Sequence, residues 1–260
     1  MNKKLDCVII TGAGSGIGKA IALNLATQGF HILCISKTVK ASETSKFIRS
    51  QGFSAEEIIV DLIDFNNVRD KFRTWFTQKN YNIVGVVLAA GILGPIGPLE
   101  NTKIDQWNEC FQTNVIGNLN ILKEVLPKMI DGRFGRIVWF GGGGAANAYP
   151  MFPAYAASKA AIVRITENLH EDLKLMGNFA VVCLAPGAND TEMLKKVREA
   201  GAVVKTIVRI DEPVNFVNKF ILSISCNFSG CFVHVRDSWS DYLNNKKYIE
   251  INKWKLRRID

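Results

Sequence analysis

Tyr155 and Lys159 stand four residues apart in "AYAASK", the spacing that brings two side chains onto one face of a helix. A phenol ordinarily titrates near pH 10, and a neighbouring ammonium favours its ionised form. Lowering it to about 7 takes roughly 4 kcal/mol, a reachable effect for close positive charge. The pair is therefore expected to pass a proton to or from a substrate oxygen. Just upstream runs "GGGGAANAYP". Between Arg136 and Tyr155 only Trp139, Asn147 and Tyr149 carry conventional hydrogen-bonding side chains, and no serine occurs between Ser54 and Ser158. A second donor to the substrate oxygen must then be Asn147, a water held on a glycine N–H, or a hydroxyl of the substrate itself. Gly142, Gly143, Asn147 and Tyr149 are the substrate-contact candidates. Bare backbone N–H groups would suit a polyhydroxylated or phosphate-bearing compound.

A second chemical stretch lies near the start, where "CVIIT" leads into "TGAGSGIG". Gly12, Gly16 and Gly18 fall at a strand-to-helix turn, where backbone N–H groups and the positive end of a helix can meet a pyrophosphate. Because the turn opens a strand–helix series, it points to a dinucleotide. The second strand ends "CISKT". An acidic residue there would accept from ribose hydroxyls and repel a 2′-phosphate; Ser36 and Lys37 can donate to one instead. NADP is expected, with NAD as the alternative.

The elements needed to hold these groups are legible as β-branched runs: "CVIIT", "HILCIS", "EIIV", "IVGVVLAA", "RIVWF", "FAVVCLA" and "CFVHV". Continuous apolar runs separated by helical patterns imply βαβ units, hence a doubly wound parallel sheet in three α/β/α layers. Ile17, Ile21 and Leu25 recur at helical spacing, and "TKIDQWNECFQTNVIGNLNILKEVLPKMI" and "PAYAASKAAIVRITENLHEDLKLM" predict long packing helices. Residues 1–237 read as one catalytic and dinucleotide-binding domain, and 238–260 as a C-terminal tail of it.

With 260 residues and 48% hydrophobic content the chain buries a full core. No apolar stretch approaches 18 residues, so no membrane span is expected. Six cysteines without a CxxC pair suggest reduced thiols and a cytoplasmic protein. His31, His170 and His234 stand at no ligand spacing, and no metal is expected. The net charge of +8 is dispersed and lacks a nucleic-acid motif, so no nucleic-acid partner is expected. Between Pro186 and Pro213 the cations Lys195, Lys196, Arg198, Lys205 and Arg209 are balanced by Asp190, Glu192, Glu199, Asp211 and Glu212.

The ordered set "TGAGSGIG", Asp61 in "VDLID", "AAG" at 89–91, Asn114, Tyr155 with Lys159, and "PGANDT" at 186–191 resembles the short-chain dehydrogenases/reductases over nearly the whole chain. The resemblance implies a Rossmann-type fold and hydride transfer between a nicotinamide dinucleotide and a carbonyl or alcohol carbon. It implies that Ser15, Ile17, Asp61, Leu62, Ala90, Gly91, Pro186, Gly187 and Thr191 join the glycines at the cofactor. Lys159 would hold the nicotinamide ribose and Asn114 would order a proton-relaying water. The family's usual serine, thirteen residues before the tyrosine, falls on Gly142. A homodimer or homotetramer acting on a small-molecule substrate is implied as well. Features such as "FPAYAASKAA" and "WKLRRI" are similar to a branch tied to bacterial surface-polysaccharide and nucleotide-sugar chemistry, which ranks a sugar derivative among the substrates. A dinucleotide-binding sensor with little turnover is the competing expectation.

Overall fold

The computed structural model describes residues 4–202, 204, 207–244 and 250–256. Lys205 and the last residues of "WKLRRI" lie outside them. Strand and helix alternate in the order β1 (Asp6–Thr11), α1 (Gly16–Thr27), β2 (His31–Ser36), α2 (Lys40–Ser50), β3 (Ala55–Ile59), α3 (Phe65–Gln78) and β4 (Asn82–Leu88). The second half runs α4 (Ile104–Phe111), α5 (Asn118–Asp131), β5 (Phe134–Phe140), α6 (Pro153–Leu173), β6 (Asn178–Ala185), α7 (Glu192–Glu199), α8 (Asp211–Ile221) and β7 (Cys231–His234). The seven strands form one sheet in the order β3-β2-β1-β4-β5-β6-β7, every pairing parallel. The expected three-layer, doubly wound architecture is present.

The strands are apolar throughout because both faces are covered. Along β1, Val8 and Ile10 enter a core with Ile21 and Leu25 of α1 and Phe216 and Phe220 of α8. Cys7 and Ile9, on alternate positions, enter a second core with Phe72 of α3, Val125 of α5 and Ile162 of α6. The two-residue period of a strand thus feeds two hydrophobic layers at once.

One expected long helix is interrupted. A π-helical segment, Gln112–Gly117, joins α4 to α5. Such a wide turn rotates the residues after it relative to those before, and is frequent at functional positions. Beyond β7 the chain leaves the βα rhythm, as its composition implies, yet Trp239 is buried edge-on against Phe216 at 4.7 Å, and Trp254 stacks on Phe228 at 5.8 Å. These rings extend the α8 side of the core.

Candidate active site

At the β1–β4 junction the order of connections reverses, opening a crevice at the carboxyl ends of the strands. The loops after β1, β2, β3, β4, β5 and β6 converge there, bringing every candidate cofactor residue to one end of the sheet.

Gly12 has φ +66°, and a Cβ on it would lie 3.0 Å from the backbone of Ala90. A Cβ on Gly18 would come within 2.5 Å of Gly12 O. Side chains are excluded at both points, and the turn lies flat against α1. Ser15, extended at φ −158° and ψ 171°, makes no side-chain capping bond to α1. The first-turn N–H groups of Gly16, Ile17 and Gly18 are therefore uncapped by side chains, which fits a pyrophosphate.

Thr191 Cγ2 lies 3.4 Å from a Cβ placed on Gly16, so the β6 loop reaches over the glycine turn. Asn189 Nδ2 pins that loop by donating to Pro186 O at 2.7 Å and Gly187 O at 3.1 Å. Asp61 is exposed just past β3, while Leu62 is buried and its carbonyl accepts from Asn120 Nδ2 at 2.8 Å.

At the end of β2, Ser36 Oγ donates to Thr38 O at 2.7 Å, and Lys37 is exposed beside it. A third residue here is Lys40, whose Cβ stands 2.7 Å from a Cβ placed on Gly14. The first residue of α2 thus abuts the glycine turn, and its side chain is exposed. Nothing in the linear spacing marks it, since the contact exists only once α2 folds back.

The loop after β4 is held by a buried relay. Thr11 Oγ1 donates to Asn118 Oδ1 at 2.7 Å and accepts from Ala90 N at 3.0 Å; Asn118 Nδ2 donates to Ala90 O at 3.0 Å. Neither Thr11 nor Asn118 stands out in the sequence. A Cβ on Gly91 would lie 3.1 Å from Asn114 Oδ1 and 3.7 Å from Lys159 Nζ, so Gly91 adjoins both the cofactor-side loop and the reacting groups.

Asn114 occupies the π-helical segment and is fully buried. Its Oδ1 accepts from Ile92 N at 2.7 Å; its Nδ2 donates to Ile92 O at 3.0 Å and Ser158 Oγ at 2.9 Å. Ser158 Oγ donates in turn to Tyr155 O at 2.7 Å, which locks Asn114 to the helix carrying the acid/base. Ser158 is missed by motif reading because it lies between the two residues of the pair and faces the core.

Lys159 is buried, and its Nζ donates to Phe140 O at 2.7 Å while standing 5.3 Å from the Tyr155 ring centre. Burial pulls its pKa down to about 8. The sequence-based expectation that the ammonium would draw Tyr155 towards neutrality is corrected: burial holds the phenol above its ordinary value.

Gly142 has φ 162° and ψ 168°, extended backbone open to any residue. The nearest atom to a Cβ placed there is Tyr155 Oη at 3.7 Å. The position is thus next to the acid/base and sterically vacant. Gly143 also faces open space. Asn147 is exposed, its Nδ2 turned back towards Gly143 O at 3.5 Å, so the amide is engaged by its own turn. Tyr149 lies against Phe152 at 5.0 Å and against Tyr155 at 6.5 Å between ring centres. Among the described residues no cluster of three or more His, Cys, Asp or Glu is arranged to hold a metal.

The chain is similar to known proteins. The model of the short chain dehydrogenase family matches residues 6–202. A 3-oxoacyl-acyl-carrier-protein reductase of Aggregatibacter actinomycetemcomitans is 32% identical over 212 residues, covering 78% of this chain and 84% of its own. A candidate NAD(P)-dependent gluconate 5-dehydrogenase of Beutenbergia cavernae, solved with NADP at low occupancy, superposes with TM-score 0.79 at 25% identity, covering 91% of this chain and 97% of the other. An NAD+-bound xylitol dehydrogenase superposes with TM-score 0.81 at 24% identity, covering 88% and 96%.

Proposed function

Since the chain belongs to the short chain dehydrogenase family and is an NAD(P)-dependent oxidoreductase, we propose that it reduces a keto group with NADPH, using Tyr155 as the proton donor. The observation that carries this reading is the connected set Asn114–Ser158–Tyr155–Lys159, with Tyr155 Oη beside the vacant Gly142 position. When bound, the reduced nicotinamide supplies a hydride to the carbonyl carbon, and the carbonyl oxygen takes the Tyr155 proton, giving a secondary alcohol and the oxidised cofactor. Lys159 keeps positive charge behind the phenol and is placed to meet the nicotinamide ribose. Asn114 fixes the backbone of Ile92 and, through Ser158, the start of α6.

NADPH rather than NADH is supported by the chemistry at the β2 end: Ser36 in place of a carboxylate, with Lys37 and Lys40 alongside. A charge-assisted hydrogen bond there is worth about 1.5–3 kcal/mol, a preference of about ten- to a hundredfold. Relatives solved with NADP and with NAD+ both share the fold. Titration should therefore show tighter NADPH binding, with Ser36→Asp reversing the order; equal affinities would refute the assignment.

Tyr155→Phe is the test of the chemistry. It should bind NADPH as the native protein does and lose at least a hundredfold in turnover, the scale of a positioned proton donor. Retained turnover would move the acid elsewhere; absent turnover in the native protein, with intact NADPH binding, would favour the sensor reading that Gly142 keeps open.

The described cysteines are all free and mostly buried, and no described helix is long and apolar enough to cross a membrane, which supports a cytoplasmic setting. Exposed Ile104 and Ile116, beside half-buried Ile165 on α6, support a homo-oligomer formed through the α4–α6 face.

A further inference from the structure

Around Tyr155 the protein builds a third apolar cluster, separate from the two that fill the fold. Leu93, Phe152 and Val197 are its buried members, and Tyr149, Tyr155 and Met193 pack on it. Its wall comes from two loops and one helix. Tyr149 and Phe152 stack ahead of α6, Leu93 follows β4, and α7 lays Met193 and Val197 across them. The opposite side of α7 carries Lys195, Lys196, Arg198 and Glu199, all exposed. Helical spacing thus turns the charges of this segment outward and its hydrocarbon towards the acid/base. Arg209, further along, is paired with Asp211 at 3.1 Å.

The rim is apolar too. Met151, with φ 69° and 41% exposed, and Ile96, 38% exposed, meet where Gly97 N donates to Met151 O at 2.8 Å. Positive φ in a side-chain-bearing residue is a strained choice, held here against solvent by that loop contact. Next to Tyr155 Oη, Gly142 and Gly143 leave room, since added Cβ atoms would find ordinary contact or none.

Resting on the reductase reading above, we propose that the substrate is an uncharged ketone with an apolar body, aromatic or branched, lying against the half-buried Tyr149, Tyr155 and Met193 that Phe152 and Val197 back from beneath. The space at Gly142 and Gly143 takes the second substituent of the carbonyl carbon. A phosphorylated or polyhydroxylated compound would set its polar groups against hydrocarbon, an unfavourable exchange for water. The glycines that suggested such a substrate in the sequence serve here as room.

The test is NADPH oxidation by the native protein with propiophenone, 1-phenyl-1,2-propanedione, fructose and fructose 6-phosphate, alongside NADPH binding by fluorescence. The aryl ketones should exceed both sugars in kcat/KM by at least a hundredfold. Met193→Gln, similar in size and only half-buried, should raise KM for the aryl ketones about tenfold, as expected for a polar group against buried hydrocarbon, and leave NADPH affinity unchanged. Sugars turned over as well as the aryl ketones, or an unaltered KM in the Met193→Gln protein, would overturn the apolar assignment while leaving the reductase reading intact. No turnover of any compound despite NADPH binding would overturn the reductase reading and this inference with it.

Discussion

Gly142 is the residue where the chemistry of this site departs from what its neighbours prepare. On the proposed reading Tyr155 would supply a proton, but the usual second donor to the oxygen has no side chain to come from. The backbone at Gly142 is extended, so a serine there costs no strain, and its Cβ would sit 3.7 Å from Tyr155 Oη. Gly142→Ser should therefore fold normally and place a hydroxyl beside the reacting oxygen. On a small ketone such as acetone the rate should rise, by up to about a hundredfold on the scale of an oxyanion donor. On a bulky aryl ketone the same hydroxymethyl group takes space the substrate uses, and the change should be neutral or harmful. Measuring kcat/KM on both compounds, with NADPH affinity as a control, separates the two. An equal gain on both would mean that the glycine is simply a lost donor.

Among the elements, the π-helical segment between α4 and α5 shows how secondary structure positions chemistry. By widening one turn it lets Asn114 reach Ile92 and Ser158 while Asn118, four residues on, holds Ala90. Ser158→Ala removes one of the partners of a fully buried amide and the link to Tyr155 O. We expect kcat to fall about tenfold with NADPH binding and KM little changed, the cost of about one buried hydrogen bond. Ser158→Thr, which keeps the hydroxyl, should recover most of the rate; an unaffected alanine variant would remove Ser158 from the positioning role. The seven strands and most helices were legible because their apolar periods survive in any context. The π-segment was not, since a change of hydrogen-bond partner by one residue leaves no mark in composition. Tyr155, Lys159 and the glycine turn were marked by spacing, and Asn114 only by the family resemblance. Ser158, Lys40 and the apolar wall around Tyr155 depend on which groups become neighbours across the fold, and the upward shift of the Tyr155 pKa depends on burial.

At the scale of the whole molecule the sheet has two unlike ends: the carboxyl ends of the strands hold the site, and the amino ends are sealed by buried polar groups. There Arg136, fully buried and with no carboxylate partner among the described residues, donates to the carbonyls of Gly135, Asn178, Ser223 and Ile224, tying β5 and β6 to the end of α8. His31 stands at this end with Glu56, Lys79 and Tyr81 around it. It is buried at the start of β2, stacked on Tyr81 at 4.0 Å, with Nδ1 2.7 Å from Ser54 Oγ and Nε2 without a partner. Burial brings its pKa down to about 4 from an ordinary 6.5. Between those values the unfolded chain binds a proton that the folded chain refuses, so stability rises with pH across the window and is lost as pH falls from 6.5 towards 4. Glu56 and Glu57 have lowered pKa values and withdraw stability only at still lower pH, which leaves the interval from 6.5 to 5 to His31 and to His170, whose pKa burial also lowers. The native protein should lose about 1–2 kcal/mol over that interval by urea unfolding, from 1.36 kcal/mol per pKa unit. His31→Phe, which keeps a ring on Tyr81 and cannot titrate, should show a clearly shallower profile there, with the remaining slope belonging to His170, whatever its absolute stability. An equally steep loss in the phenylalanine variant would place the acid sensitivity outside this end of the sheet.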